Sequence, residues 1–397
     1  MQTTDVLISG GGVAGLTAAA AFGSLGFSVI CIEANPPVTS DAESGADLRT
    51  TAVLQPSIPV LQAAGLWQYL QAHAAPLQVM RIIDAGGPGP EPRVSKDFDA
   101  ADLSDQPFGW NLPNWLLRKA MLARLDDLPN VSLRTGLTTT RLLTRTNAAI
   151  VTLSDGSRVS ARLAIAADGR ASTLRDALGI AVKTIRYGQK ALSFTVTHKI
   201  PHGNVSTEIH RSGGPFTLVP LPDRDGSPAS AVIWMETGPE AMRLSTLPIP
   251  DFEAAMNIRS CHALGPLVLS SRRTVWPIIT QIAERMAGER VALLAEAAHV
   301  LPPIGAQGLN MSLGDLAALC DLARSDPADL GSARMLDAYH DARHRDIQAR
   351  IIGIDALNRA SMTGGQMLHD MRANALTALH SVEPLRKTLM RSGLGLR

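Results

Sequence analysis

Cysteine and net charge are what this chain has least of. Three cysteines, Cys31, Cys261 and Cys320, lie far apart in 397 residues with no C-x-x-C spacing. That pattern encodes neither a disulfide framework nor a zinc site and suits a reducing cytosol, so all three read as buried thiols. The formal net charge is +1, with 18% charged and 45% hydrophobic residues, which excludes a disordered chain and a nucleic-acid footprint. A small-molecule partner is expected. The chain exceeds what one hydrophobic core usually organises, so two domains, or one with a large insertion, are expected.

Charge is wholly absent from Val6 to Ile32, a run long enough to raise a membrane span or an export signal. A signal needs basic residues ahead of the apolar stretch, whereas Asp5 is the one charged side chain before it, and Gly10-Gly11-Gly12 interrupts it. A buried strand, turn and helix accounts for the run better. Gly10, Gly12 and Gly15, enclosing Val13 and Ala14, have G-x-G-x-x-G spacing between an apolar strand and an alanine-rich helix. The first glycine permits the tight turn and the second lets the backbone approach a pyrophosphate. The third lets helix pack on strand, with the helix N-terminus facing the phosphates. A second strand ends at Glu33, placed to hold a ribose hydroxyl without a 2′-phosphate. FAD and NAD both satisfy this unit.

Two later segments repeat the strand-end acid. "ARLAIAADGRASTLRDALGI" predicts a buried strand from Leu163 to Ala167, then Asp168-Gly169, then a helix beginning near Ser172. An Asp-Gly pair is also an ordinary turn, as "LSDGSRV" at Leu153 to Val159 reads as a hairpin. "RVALLAEAAHVLPPIGAQGLN" predicts a strand from Val291 to Ala295, then Glu296, then a loop with Pro302, Pro303 and Gly305. A helix follows from near Gly308 past Cys320. Backbone N–H groups of Gly308, Leu309 and Asn310 would hold an electron-rich ring edge or a developing anion.

Strand-end acids and glycine loops spread over the whole chain suit one long ligand wrapped by separate segments. These segments carry a family likeness. With Gly10, Gly12 and Gly15, the D-G-x-x-S-x-x-R run (Asp168, Gly169, Ser172, Arg175) and "PPIGAQGLN", the chain resembles the flavoprotein aromatic hydroxylases related to para-hydroxybenzoate hydroxylase. It most resembles the Ubi-type hydroxylases of ubiquinone biosynthesis. "DLRTTAVLQPSIPVLQAAGLW", Asp47 to Trp67, fits that family as well.

The resemblance implies an α/β protein: a Rossmann-like, glutathione-reductase-like FAD-binding domain, an inserted antiparallel β-sheet substrate domain, and C-terminal helices. The expected division is 1–78 with 100–185 and 285–330 for FAD, 79–99 with 186–284 for substrate, and 331–397 as the helical end. FAD would be held by Gly10, Gly12, Val13, Ala14, Gly15 and Glu33, with Arg49 and Arg118 reaching its phosphates and ribityl chain. Asp168 and Gly169 would serve FAD and an incoming nicotinamide. Pro302, Pro303 and Gly305 would line the flavin and substrate mouth, and Gly305 to Asn310 would hold the ring. The family has Gly-Asp where this chain has Ala295-Glu296, so Glu296 would reach the ribityl hydroxyl with one more methylene.

The family's chemistry uses NAD(P)H to reduce FAD and dioxygen to supply an oxygen atom to an electron-rich ring carbon, in a site kept dry. The expected substrate is a polyprenylated phenol. Competing readings are a flavin reductase or epoxidase acting on an apolar lipid, and a flavin-binding accessory subunit without turnover.

No metal is expected. Glu296 and His299 have E-x-x-H spacing, but on a strand-to-loop passage rather than one helix face, and His299 reads as a satisfied histidine near the flavin. His340 and His344 read as part of a solvated helix face. Between residues 189 and 236, short apolar runs broken by Pro, Gly and Asp predict an antiparallel sheet. Phe194, Phe216, Val219 and Trp234 are either its core or an apolar wall for a ring or prenyl tail. The stretch from Asp84 to Gln106 reads as a polar loop with no role. At the C-terminal end Arg386, Lys387 and Arg391 alternate with Leu385, Leu389 and Met390. That helix either closes the domain or meets a membrane surface or partner protein, so a cytoplasmic protein, with peripheral contact at the inner face of a membrane as the variant, is expected.

Overall fold

A computed structural model of the protein describes residues 1–397 except 88, 90, 212, 363–365, 396 and 397, and not the side chain of residue 368. The charge-free N-terminal run becomes strand Gln2–Ser9, helix Val13–Ser24 and strand Val29–Glu33. Gly15 to Gly23 are all buried in that helix. Such a segment has no polar face because it has no solvent face. The strands behave alike, since a parallel sheet covered on both sides buries successive residues rather than alternate ones.

The central parallel strands run in the order Val291–Leu293, Arg158–Ala166, Gln2–Ser9, Val29–Glu33 and Val131–Thr135. Their carboxyl ends share one edge of the sheet. The Val291–Leu293 strand stops two residues before the Ala295 end expected from the sequence. Ala295 has φ +56°, a left-handed conformation no strand residue holds, and Ala295–Ala297 form a 3₁₀ turn.

A second, mainly antiparallel sheet contains Val182–Thr197, Val205–His210, Pro215–Arg224, Ser227–Thr237 and Thr274–Ala283. Period-2 alternation gives it two different faces. Leu192, Phe194, Ile209, Phe216, Leu218, Val232 and Trp234 pack on one face against Ala241, Leu244, Phe252 and Met256 from helices Gly238–Thr246 and Ile249–Arg259. Burial of each large side chain contributes roughly 1.5–3 kcal/mol. Phe194, Phe216 and Trp234 are therefore core, and of the four residues considered for an apolar wall Val219 alone lines the cavity on the opposite face.

The expected polar loop from Asp84 to Gln106 is partly strand. Val94–Asp99 pairs with Val79–Asp84 at the sheet's edge, and Asp84 is buried. An edge strand has little to bury, so its sequence carries a weak pattern. The expected domain pieces also interlock. His299–Val300, within the 285–330 piece, pairs with Thr274–Ala283 of the second sheet. Helix Ala333–Met362 supplies Met335, Leu336, Tyr339, Ile347 and Ile351 to the first core and Ile354 to a cluster beneath the second sheet.

Helices Gln366–Ser381 and Glu383–Leu394 complete the chain as described. Two smaller expectations change. His340 and His344 are half-buried and each also meets backbone, His340 Nδ1 accepting from Met286 N–H and His344 Nε2 lying 3.2 Å from Ala283 O. Cys31 and Cys320 are buried, but Cys261 is half-buried. Among the described residues no helix is long and apolar enough to cross a membrane.

Candidate functional site

Four neighbouring strand ends bring the sequence motifs together. Gly10 has φ +105°, and a Cβ there would stand 2.3 Å from Ala167 O. A Cβ on Gly15 would stand 1.9 Å from Gly10 O, whereas one on Gly12 would meet nothing within 4 Å among the described residues. The first and third glycines thus serve the protein's own packing, and the second leaves room for something else. Glu33 accepts hydrogen bonds from the backbone N–H of Gly11 and Asn35.

On the adjacent strand, Asp168 Oδ2 accepts from Ser9 Oγ at 3.3 Å and from Leu174 N–H at 3.4 Å. Its Oδ1 is buried and has no partner among the described residues. Gly169 takes φ +82°. Ser172 caps helix Thr173–Ala177 by accepting from Arg175 N–H, and Arg175 reaches across to Ala297 O at 3.1 Å. This run therefore ties two strand ends to each other.

At the next strand end Glu296 pairs with Arg170, Nε to Oε2 at 3.0 Å, with 48% of the Glu296 side chain exposed. Arg170 lies inside the D-G-x-x-S-x-x-R run, but spacing alone does not show that it crosses to Glu296. Asp47 likewise carries no sequence signal of its partners. It receives Arg49 Nε and Nη2 at 2.8 and 2.7 Å and Asn114 Nδ2 at 3.0 Å, with Arg118 Nη2 4.0 Å away. Burial alone would raise the Asp47 carboxyl's pKa, but the Arg49 hydrogen bonds and charge, with Asn114, hold it below the usual range. Arg49 shifts upward, first through the Asp47 hydrogen bonds. Arg118 Nε is buried without a partner among the described residues.

The loop after His299 holds Pro302, Pro303, Gly305 and the start of helix Gln307–Ser325. Asn310 donates from Nδ2 to Ala52 O and Ala306 O and accepts from Leu54 N–H. Its side chain is therefore a staple to strand Thr50–Leu54. His299 is satisfied as expected: Nε2 is 2.6 Å from Asp315 Oδ2, and Arg343 donates to Asp315 Oδ1 at 2.7 Å.

That loop opens on a cavity of about 720 Å³. Its near wall includes Arg49, Arg170, Glu296, Pro302, Pro303, Gly305, Gly308 and Leu309. Its floor is the second sheet's free face, with Ser193, Ser206, Thr217, Val219 and Ile233, and its roof includes Leu376, Leu379, Leu389, Met390 and Leu394. Helix Glu383–Leu394 is thus a closing helix. Its Lys387 pairs with Glu383 and its Arg386 with Asp102. Besides Arg170 with Glu296, two polar pairs interrupt the cavity's apolar lining, Glu208 with His210 and Asp84 with Arg372.

The profile of the FAD binding domain family matches residues 3–351. The chain belongs to this family. It is similar to the ubiquinone hydroxylase UbiL of Rhodospirillum rubrum, 32% identical over 99% of this chain and 90% of that protein. It is also similar to the 3-demethoxyubiquinol 3-hydroxylase of Escherichia coli, 26% identical over 100% of this chain and 99% of that protein. Among solved structures, p-nitrophenol 4-monooxygenase PnpA of Pseudomonas putida shares the fold with a TM-score of 0.81 at 19% identity, covering 100% of both chains.

Features of this FAD-binding fold match the cofactor chemically. The open space at Gly12, the orphaned Asp168 Oδ1 and the orphaned Arg118 Nε supply a backbone cradle, an acceptor and a cationic donor. A dinucleotide's pyrophosphate and hydroxyls need those three functions.

Proposed function

We propose that this chain hydroxylates the aromatic ring of a prenylated phenol in ubiquinone biosynthesis, with NAD(P)H as a reductant that docks transiently. The cavity carries the reading. It runs from the Pro302–Leu309 loop over a floor of sheet residues to a roof of C-terminal helices. Leu357 and Leu389 both line it and stand 60% and 42% exposed, which suits an apolar tail leaving toward solvent, a partner or a membrane surface.

In this reading Gly10, Gly12, Val13, Ala14, Gly15 and Glu33 hold the adenosine and pyrophosphate of FAD. Arg49 and Arg118 neutralise its phosphates, and Asp168, Gly169 and Glu296 accept its hydroxyls. Gly305, Gly308, Leu309 and Asn310 support its ring by backbone N–H groups, and Pro302 and Pro303 wall the ring from water. When bound, FAD supplies the redox chemistry that activates dioxygen and delivers one oxygen atom. The chain's own part is to orient the substrate ring, exclude water and manage the phenol proton.

The working units are residues 1–78 with 100–185 and 285–330 for FAD, 79–99 with 186–284 for substrate, and 331–397 as the helical end, whose last two helices roof the cavity. Similarity to hydroxylases over nearly the full chain favours this reading over the reductase, epoxidase and accessory-subunit alternatives. The test is turnover: purified protein with FAD, NAD(P)H and a short-chain 2-prenylphenol is expected to yield a product one oxygen heavier by mass spectrometry. Stable FAD that NAD(P)H never reduces, with no product, would favour the accessory role.

A further inference from the structure

The floor of the cavity is not apolar throughout. The register across the sheet gives one transverse row of Ile82, Glu208, Thr217, Ile233 and Ser193, and a neighbouring pair, Asp84 beside His210. Glu208 and His210 sit two apart on one strand, so both face the cavity. Glu208 Oε1 lies 2.7 Å from His210 Nε2, with side chains 9% and 15% exposed. Burying a carboxylate beside an apolar chamber is costly, and an apolar pair would accommodate a hydrocarbon tail more simply. The pair therefore calls for a polar ligand group.

The hydrogen bond fixes how the imidazole works. With Nε2–H donating to the Glu208 carboxylate, the neutral ring presents Nδ1 as an acceptor, and Nδ1 is buried with no partner among the described residues. Arg372 stands beside it. Its Nε donates to Asp84 Oδ2 at 2.6 Å and its Nη2 to His210 O, while its Nη1 is buried and unpartnered among the described residues. An unpaired acceptor and an unpaired cationic donor, both buried, thus belong to two residues that line one cavity.

We propose that His210, oriented by Glu208, accepts the proton of the substrate's ring hydroxyl, and that Arg372 stabilises the resulting phenolate oxygen. The inference rests on the hydroxylase reading of the cavity. The phenol O–H breaks, its proton forms a bond to His210 Nδ1, and the electron pair remains on oxygen, enriching the ring for electrophilic attack. After the ring carbon has gained oxygen and lost its own proton to solvent, the imidazolium returns the first proton to the phenolate. No further oxidant or reductant enters.

The test uses FAD-loaded protein and 4-nitrophenol, whose phenol and phenolate forms differ in colour. The wild type is expected to bind it largely as phenolate, with a phenolate-to-phenol ratio at least about tenfold above that of H210Q at the same pH. E208Q is expected to fall between them. Unchanged FAD content and melting temperature show that the variants fold. Turnover of a short-chain 2-prenylphenol is expected to drop about a hundredfold or more in H210Q, the usual scale for losing a general base. An equal bound-phenolate fraction in wild type and H210Q, or no bound phenolate in wild type, overturns the proposal. If H210Q hydroxylates as fast as wild type, the proposal also fails while the hydroxylase reading stands. If wild type forms no hydroxylated product, the hydroxylase reading fails and the binding spectra still decide the proton acceptor.

Discussion

His299 Nε2 and Asp315 Oδ2 are 2.6 Å apart, with side chains 1% and 0% exposed. Asp315 also accepts from Arg343, which donates to Asp346, and Arg350 links Asp346 to Gln307 at the start of the loop's helix. A sealed carboxylate thus anchors both flanks of the Pro302–Gln307 loop. Asp315→Ala leaves buried His299 without its partner and Arg343 with Asp346 alone, and is expected to cost about 3–5 kcal/mol in chemical denaturation. A loss under about 1 kcal/mol would show that the network does not hold the loop.

The glycines of the first motif separate packing from ligand space. Gly15→Ala drives a Cβ into Gly10 O and is expected to destabilise the protein by about 1–3 kcal/mol or more and to lose FAD. Gly12→Ala meets no protein atom, so the FAD-free protein should melt as wild type does while FAD affinity falls at least about tenfold. Equal melting losses in both variants would contradict the division.

Ala295 takes a left-handed φ of +56° where the resembling family has glycine. A non-glycine residue there costs roughly 1–2 kcal/mol, partly offset by glycine's extra freedom in the unfolded chain. Ala295→Gly is expected to stabilise by up to about 1 kcal/mol in thermal or urea unfolding. A net loss would mean that the Cβ packs favourably enough to outweigh the strain.

Asp47 gives the site an acid limit. Its folded pKa lies below the ordinary 3.8, where burial's upward push is outweighed by Arg49 and Asn114. A depressed carboxyl contributes stability above the unfolded pKa and loses it as pH falls through the folded one. The melting-temperature gap between wild type and Asp47→Asn should therefore be steady from about pH 5 to 7 and narrow below about pH 4. A gap that widens in acid would reverse the assignment.

The nucleotide-binding half was legible because it is local: Gly10 to Glu33 and Asp168 to Arg175 each carry turn, cap and strand end within a few residues. Glu208, His210 and Arg372 were not legible. They meet through register between strands and through a helix more than 150 residues away, and no short-range pattern records either. Asp84 was hidden by a loop-like composition on an edge strand, and Arg170 by pointing across the sheet instead of along its motif. Phe194, Phe216 and Trp234 had the right strand assignment but an undecided face, because alternation reveals period and not which side meets ligand.

On Val205–His210 the even-numbered side chains 206, 208 and 210 meet the chamber, while Ile209 belongs to the core; Thr217 and Val219 alternate likewise with Phe216 and Leu218. Position parity thereby uncouples two selective pressures. Head-group preference can drift through residues of one parity while those of the other keep the molecule folded, so one scaffold can be retuned to new phenols without rebuilding its interior.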